Sequence, residues 1–263
     1  MSDTKSIKSA GCDEYDASLL TVETAQQRIL QVAQPISGVE RVAIRSALGR
    51  VLAEPIISPI NVPPYANSAM DGYAINTAEL QTGTPLQLSV IGTSWAGEPF
   101  AGAIKPGQCV RIMTGAKMPA GADSVVMQEH VHRDSDTISI STLPAPGRNV
   151  RHPGEDIAKG STVLEPGKRL GPAELGLLAS LGFPEVSVRR RVRVAFFSTG
   201  DELRAVGEPL AEGQIYDSNR YTLYGMLAQA GVELLDMGVI RDEQAAVEQA
   251  FVCLLYTSPS PRD

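Results

Sequence analysis

Apolar positions recur with a helical period near the start of the chain. In "TVETAQQRILQVAQ" (21–34), Val22, Ala25, Ile29 and Val32 fall at that spacing, Thr21 can cap the first turn, and Glu23 sits where the helix dipole favours an acid. A second short helix is predicted for "SALGRVLAE", beginning at Ser46 and stopped by Pro55. From Pro59 to Gly160 the period changes to that of strands: "LQLSVIG", "QCVRIM", "DSVVMQ" and "TISIST" alternate with Gly and Pro turns, which predicts a small barrel or sandwich. "STVLEPGKRL" reads as a further hairpin, and "GPAELGLLASLG" as a helix with Pro172 in its first turn and Gly182 as its stop. After "EVSVRRR" the pattern changes again. Strand "VRVAFFSTG", helix "DSNRYTLYGMLAQAG", strand "VELLDMGVI" and helix "RDEQAAVEQAFV" predict a parallel, doubly wound α/β domain. The fold class expected is therefore multidomain α+β.

Composition narrows the partners. The chain has 263 residues, 43% of them hydrophobic and 20% charged, with a net charge of -7. Such a chain suits a soluble globular protein of about two domains, not a binder of nucleic acid or of an anionic membrane, both of which demand a basic face. Cys12, Cys109 and Cys253 are far apart and odd in number, so a disulfide framework or thiolate zinc site is not expected, and a reducing cytoplasm suits them. The polar start "MSDTKSIKSAGCDEYD" lacks an apolar signal core, and residues 1–17 read as a disordered tail; no run of about 18 apolar residues is present to span a membrane.

Three acidic sites share one style, each in a Gly turn: Asp71 in "SAMDGYA", Glu155–Asp156 in "HPGEDI" and Asp201–Glu202 in "STGDEL". Singly, each carboxylate is either a turn or cap residue or a ligand. Asp-Gly by itself predicts a hairpin turn at Asp71. The third site follows the first parallel strand, where open α/β sheets bind ligands; there Ser198, Thr199 and the Gly200 backbone can cradle a phosphate while Asp201 or Glu202 holds Mg²⁺. In "RIMTGAKMPAGAD", Thr114 either ends a strand or, with Lys117, faces an anionic ligand. His130 and His132 alternate as on one face of a strand, but a third metal ligand is lacking nearby, and Arg189–Arg191 reads as a solvated linker. Walker A and G-x-G-x-x-G motifs are absent.

Together, "NSAMDGYAI", "RIMTGAKMPAGADSVVMQE", "GEDIAKG", "FFSTGDEL" and "GQIYDSNRYTL" resemble, in this order and spacing, the molybdopterin molybdenumtransferase family, which includes bacterial MoeA and the E domain of gephyrin. The resemblance covers residues 18–252 and implies a cytoplasmic homodimer that inserts molybdate into adenylylated molybdopterin and releases AMP with Mg²⁺. The molybdopterin adenylyltransferase is a candidate partner. The resemblance implies an elongated domain I from 18–59 and 160–190, a β-rich domain II over 60–159 and a partial α/β domain III over 191–252. It carries catalytic roles to Asp71, Thr114, Asp156 and Glu202, substrate or anion binding to Ser198, Thr199, Gly200 and Asp217, and a Mg²⁺ site to Asp71 and Glu202. In the family the site lies between the β domain of one subunit and the α/β domain of the other. Before "GED", "VRHP" departs from the family's more basic run, which weakens an anion role for Arg151 or His152.

Two parallel strands do not make a covered sheet. "LLYTSPSPRD" resembles no part of the family, so residues 253–263 read as a non-native tail on a truncated chain, expected to be inactive alone. The alternative is a non-catalytic, gephyrin-like scaffold or dimerisation module.

Overall fold

The computed structural model describes residues 20–78 and 86–257, with side-chain surroundings as far as Cys253. The tail expected over 1–17, and residues 258–263 of the segment read as foreign, lie outside the described residues. Among those described, no helix is long and apolar enough to cross a membrane. The chain forms two compact units: one runs from Val39 to Val188, and the other joins the residues before Val39 to those after Val188.

The first element, α1 (Val22–Val32), is capped as expected: the Thr21 hydroxyl accepts the Thr24 N–H at 3.2 Å. Its apolar stripe buries nothing within the described residues; Val22, Ile29, Leu30 and Val32 are all exposed.

The unit from Val39 to Val188 opens with β1 (Val39–Ala43), a 3₁₀ turn at Ile44–Ser46, and β2 (Ile56–Ile57). Its middle contains β3 (Asn67–Ser68), β4 (Gly72–Ile75), β5 (Leu86–Ser94), β6 (Gln108–Ile112), β7 (Ser124–Met127), β8 (Val131–Asp134) and β9 (Thr137–Ile140). It closes with β10 (Val150–Arg151), β11 (Thr162–Leu164), α2 (Pro172–Ser180) and β12 (Glu185–Arg189). The helix expected over "SALGRVLAE" does not form. Gly49 takes a left-handed φ of 75° and turns the chain, and Leu52 runs extended, its N–H donating to Lys168 O at 2.9 Å. That course buries Leu52 and Ile56 against Leu170, Leu178, Val186 and Val188, and burial of this kind, worth roughly 1.5–3 kcal/mol per large side chain, outweighs local helix propensity. For the same reason "STVLEPGKRL" is not a hairpin: β11 pairs antiparallel with β2, and Arg169 bridges to Val51. β1 likewise pairs with β12, so the two ends of this unit are stitched together.

Strands β4 to β9 make one six-stranded sheet in the order β7-β4-β6-β5-β9-β8, antiparallel except for the β5–β6 pair. β4 is buried on both faces. Tyr73 and Ile75 join a core with Leu88, Cys109, Val126, Ile138 and Ile140, whereas Ala74 packs with Ile112, Ala116 and Val125. Burial pushes the Cys109 thiol up to about 12, with Arg133 opposing weakly, so the thiol stays protonated. His130 lies in a 3₁₀ turn, Gln128–His130, and only His132 is in β8, so the two do not share a strand face.

The remaining unit contains β13 (Arg193–Thr199), β14 (Leu203–Arg204), β15 (Ile215–Tyr216), α3 (Ser218–Ala230), β16 (Glu233–Ile240) and α4 (Gln244–Thr257). β13 and β16 are parallel, from Arg193↔Glu233 to Thr199↔Ile240, and α3 packs on both. Helix α3 ends on Gly231 at φ 77°, the left-handed stop that the sequence suggests. The last helix continues to Thr257, five residues past the boundary expected at 252.

Candidate active site

Asp71 leaves a bend and enters β4 through Gly72. The Asp-Gly pair does not form the expected hairpin turn. Gly72 is the first residue of the strand, and a Cβ there would stand 2.0 Å from the Val126 carbonyl oxygen, so glycine is required by the close approach of β7. The stretch before it is held on two flanks. On one, Ser68 N–H donates to Ala116 O at 3.0 Å, Gly115 N–H to Ser68 O at 2.8 Å, and Met118 N–H to Ala66 O at 2.9 Å. On the other, β10 pairs with β3, Ala69 N–H donates to Asn149 O at 2.9 Å, and Asp156 N–H donates to Val62 O at 2.9 Å. The fold thus laces the "MTGAK" and "HPGED" segments onto "VPPYANSAMD".

Asp71 Oδ1 accepts two hydrogen bonds from Thr114, from its N–H at 2.7 Å and from its hydroxyl at 2.8 Å. The Thr114 N–H, then its hydroxyl, and more weakly Arg111 hold this exposed carboxyl below its ordinary value against a small opposing effect of burial. Asp71 is therefore ionised throughout the neutral range. Both the N–H and the hydroxyl of Thr114 are thus engaged inside the protein, on Asp71.

Asp156 sits in its own turn, both carboxylate oxygens taken by the Arg151 guanidinium, and Glu155 Oε2 accepts the His152 N–H at 2.9 Å. Arg151 thus faces a carboxylate of its own turn.

In the α/β unit, β13 ends at Thr199 and Gly200 adopts φ 152°, a conformation that favours glycine. The Glu202 carboxylate folds over that residue: a Cβ on Gly200 would lie 2.8 Å from Glu202 Oε2. Ser198 and Thr199 face a cavity of about 270 Å³ together with Tyr216, Asp217, Ser218 and Asn219. A larger crevice of about 660 Å³ lies outside the carboxyl ends of β13 and β16, where Gly200 and Asp201 meet Arg204, Arg220, Arg241 and Glu243. Asp217 is 3% exposed, caps α3 by accepting the Arg220 N–H at 3.1 Å, and leaves Oδ2 without a hydrogen bond. The Arg220 guanidinium stands 3.9 Å from that oxygen and 3.4 Å from Asp236. The cations of the crevice, Arg204, Arg220 and Arg241, escaped the sequence reading. Arg241 had a usable signal, because it directly follows the second parallel strand.

Comparison with known proteins identifies the lineage. The family model for the MoeA N-terminal region (domains I and II) matches residues 20–182, and that for a probable molybdopterin binding domain matches 195–258. Molybdopterin molybdenumtransferase of Haemophilus influenzae is 47% identical over 235 residues, covering 89% of this chain and 58% of that protein. The protein of that name from Nostoc is 40% identical over 211 residues, covering 79% of this chain and 48% of its own length. The chain therefore spans about half the length of these curated relatives. A crystal structure of the molybdopterin biosynthesis MoeA protein of Pyrococcus horikoshii superposes with a TM-score of 0.82 at 32% identity, covering 89% of this chain and 63% of that one. With those matches, the chain belongs to the MoeA family of molybdopterin molybdenumtransferases.

Proposed function

We propose that the protein acts in molybdenum cofactor biosynthesis, inserting molybdate into adenylylated molybdopterin with release of AMP. The observation that carries this reading is the Asp71–Thr114 pair: an exposed carboxylate oriented by two donors from a second motif, in a chain whose relatives bear the name of that activity. Both substrates are anions, so an acidic protein needs a divalent cation, here Mg²⁺, between them and its carboxylates.

Among the described residues, no three His, Cys, Asp or Glu side chains stand close enough to hold a metal ion alone. The donor set still suits Mg²⁺, which keeps several waters and takes one or two carboxylates beside substrate phosphates. Asp71, whose Oδ2 takes neither Thr114 bond, is the carboxylate assigned to it in the β-rich unit, and Glu202 the one assigned to it in the α/β unit. When bound, the ion would neutralise charge on phosphate and molybdate. Thr114 orients Asp71, Asp156 acts with Arg151 beside it, and Ser198, Thr199 and Gly200 form an anion cradle. In this reading Asp217 serves that cradle from behind, as the cap of α3.

The reading extends to the domains: an elongated domain I from 18–59 and 160–190, a barrel-like domain II over 60–159, and a molybdopterin-binding domain III from 191. It also assigns a cytoplasmic homodimer supplied with substrate by the molybdopterin adenylyltransferase. The exposed stripe of α1 supports association with a second copy.

Residues 1–252 joined to the remaining length of the Haemophilus influenzae relative, given adenylylated molybdopterin, molybdate and Mg²⁺, are expected to release AMP, and Asp71→Asn to suppress that release. No AMP with Mg²⁺ present overturns the proposal. The 263-residue chain, run in parallel, is expected to release none, since it spans 58% of the length of that relative.

A further inference from the structure

Three strand ends meet at one rim of the six-stranded sheet. β6 runs between β4 and β5, and Ile112 at its end pairs with Gly72, the first residue of β4, and with Ser94, the last of β5. Asp71, Thr114 and Trp95 therefore leave the sheet side by side. Met113 N–H donates to Ser94 O at 3.2 Å and fixes the spacing of the last two. Trp95 and Glu98 exchange backbone hydrogen bonds of 3.0 and 3.1 Å around a turn in which Gly97 is left-handed at φ 88°. Ser94, fully buried, ties the base of that turn down: its hydroxyl donates to Lys117 O at 2.9 Å and accepts the Phe100 N–H at 3.3 Å.

A turn anchored on both sides thus presents an indole that is 51% exposed. It stacks on no other ring among the described residues, and it is the only tryptophan of the chain. Lys117, on the same loop as Thr114, is exposed with its Nζ 6.0 Å from the centre of the Tyr65 ring, and no ion pair engages it among the described residues. The rim therefore offers an ionised carboxylate, an ammonium group and a fixed aromatic face.

We propose that Trp95 is a specificity-determining residue that stacks on the flat heteroaromatic ring of a phosphate-bearing substrate, with Lys117 beside it to meet the phosphate. This rests on the function proposed above. Stacking is favoured because both faces are large and polarisable, and because the turn is ordered before the ligand arrives, so little freedom is lost on binding. Adenine and pterin share the required chemistry, and either ring can occupy the face.

The chain's tryptophan emission comes from Trp95 alone. The purified chain is titrated, with MgCl₂ present, with AMP, with pterin-6-carboxylate and with pyrophosphate, following emission and calorimetric affinity together. A ring-bearing ligand should quench the emission saturably, whereas pyrophosphate should bind without quenching. Trp95→Ala should weaken the ring-bearing ligand roughly tenfold, within the range for losing one stacking ring, and leave pyrophosphate unchanged. Trp95→Phe should restore most of the affinity. The ligand that loses affinity identifies the ring.

Equal losses for pyrophosphate and the ring-bearing ligands would mark a displaced loop and overturn the stacking. So would a Trp95→Ala chain that binds all three like wild type, which leaves the proposed function standing. A wild-type chain that binds none of the three overturns the stacking and leaves the proposed function to the AMP-release assay.

Discussion

The two units hold their carboxylates in Gly turns of similar sequence, yet by different means. In the unit from Val39 to Val188, two cores sandwich the six-stranded sheet and a third lies between the paired ends of the unit. In the α/β unit, the buried hydrophobic residues among those described are Phe196 and Ala250, with Phe197 and Phe251 meeting edge to face at 5.8 Å. Asp71 is held by donors from a distant segment, itself seated on a core, whereas Glu202 rests on the glycine two residues before it. A carboxylate motif names a chemistry; the packing behind it decides how rigidly that chemistry is presented.

Substitutions can break or sharpen this contrast. The largest effect is expected from Gly72→Ala, because a methyl 2.0 Å from a backbone oxygen forces β4 away from β7; the cooperative unfolding transition of the β-rich unit should disappear in urea titrations. Next, Ile112→Ala, at a fully buried site, should cost about 2–5 kcal/mol, whereas Leu235→Ala in β16, 48% exposed, should cost less than about 1 kcal/mol. Equal costs in chemical denaturation would erase the difference between the units.

A smaller effect concerns acid. Glu174 lies below its ordinary value because Gly171 N–H donates to it at 2.8 Å, with its own N–H and Lys168 adding to the shift. A depressed carboxyl contributes stability above its unfolded value and loses it as pH falls through the folded one. Glu174→Gln should therefore destabilise at pH 7, and the deficit should vanish in strong acid, read from urea midpoints at the two pH values. The smallest expected effect is that of Thr114→Val. It removes the weaker of two donors and leaves the N–H, so the Asp71 carboxyl should titrate higher than in wild type yet still below its ordinary value, as carboxyl-carbon NMR would report.

What was legible in the sequence follows this same division between local and distant causes. Helices α1, α2 and α3 and strands β13 and β16 are announced by their own period, caps and stops, with Thr21, Pro172, Asp217 and Gly231 at their ends. The segment 46–54 has a helical pattern yet turns and runs extended because its partners, Lys168 and Val188, lie more than a hundred residues away, and "STVLEPGKRL" has a hairpin pattern yet pairs elsewhere for the same reason. At the site, residue types and turns were readable, but the bond between Asp71 and Thr114 spans 43 positions and has no local trace. Gly72 resembles a turn glycine in sequence, and only the neighbouring strand shows why it cannot carry a side chain.

The double lacing of Val62–Asp71 also sets an order of events in synthesis. One flank waits for residues 115–118 and the other for 149–157. Closing loops of that length costs chain entropy before any hydrogen bond repays it, so such contacts form late. As the chain leaves the ribosome, the segment bearing Asp71 has no complete set of partners until residue 157 has emerged. Assembly of this rim is therefore post-translational with respect to its own first motif, and a pause in translation between residues 118 and 149 would expose a half-laced, unpaired strand.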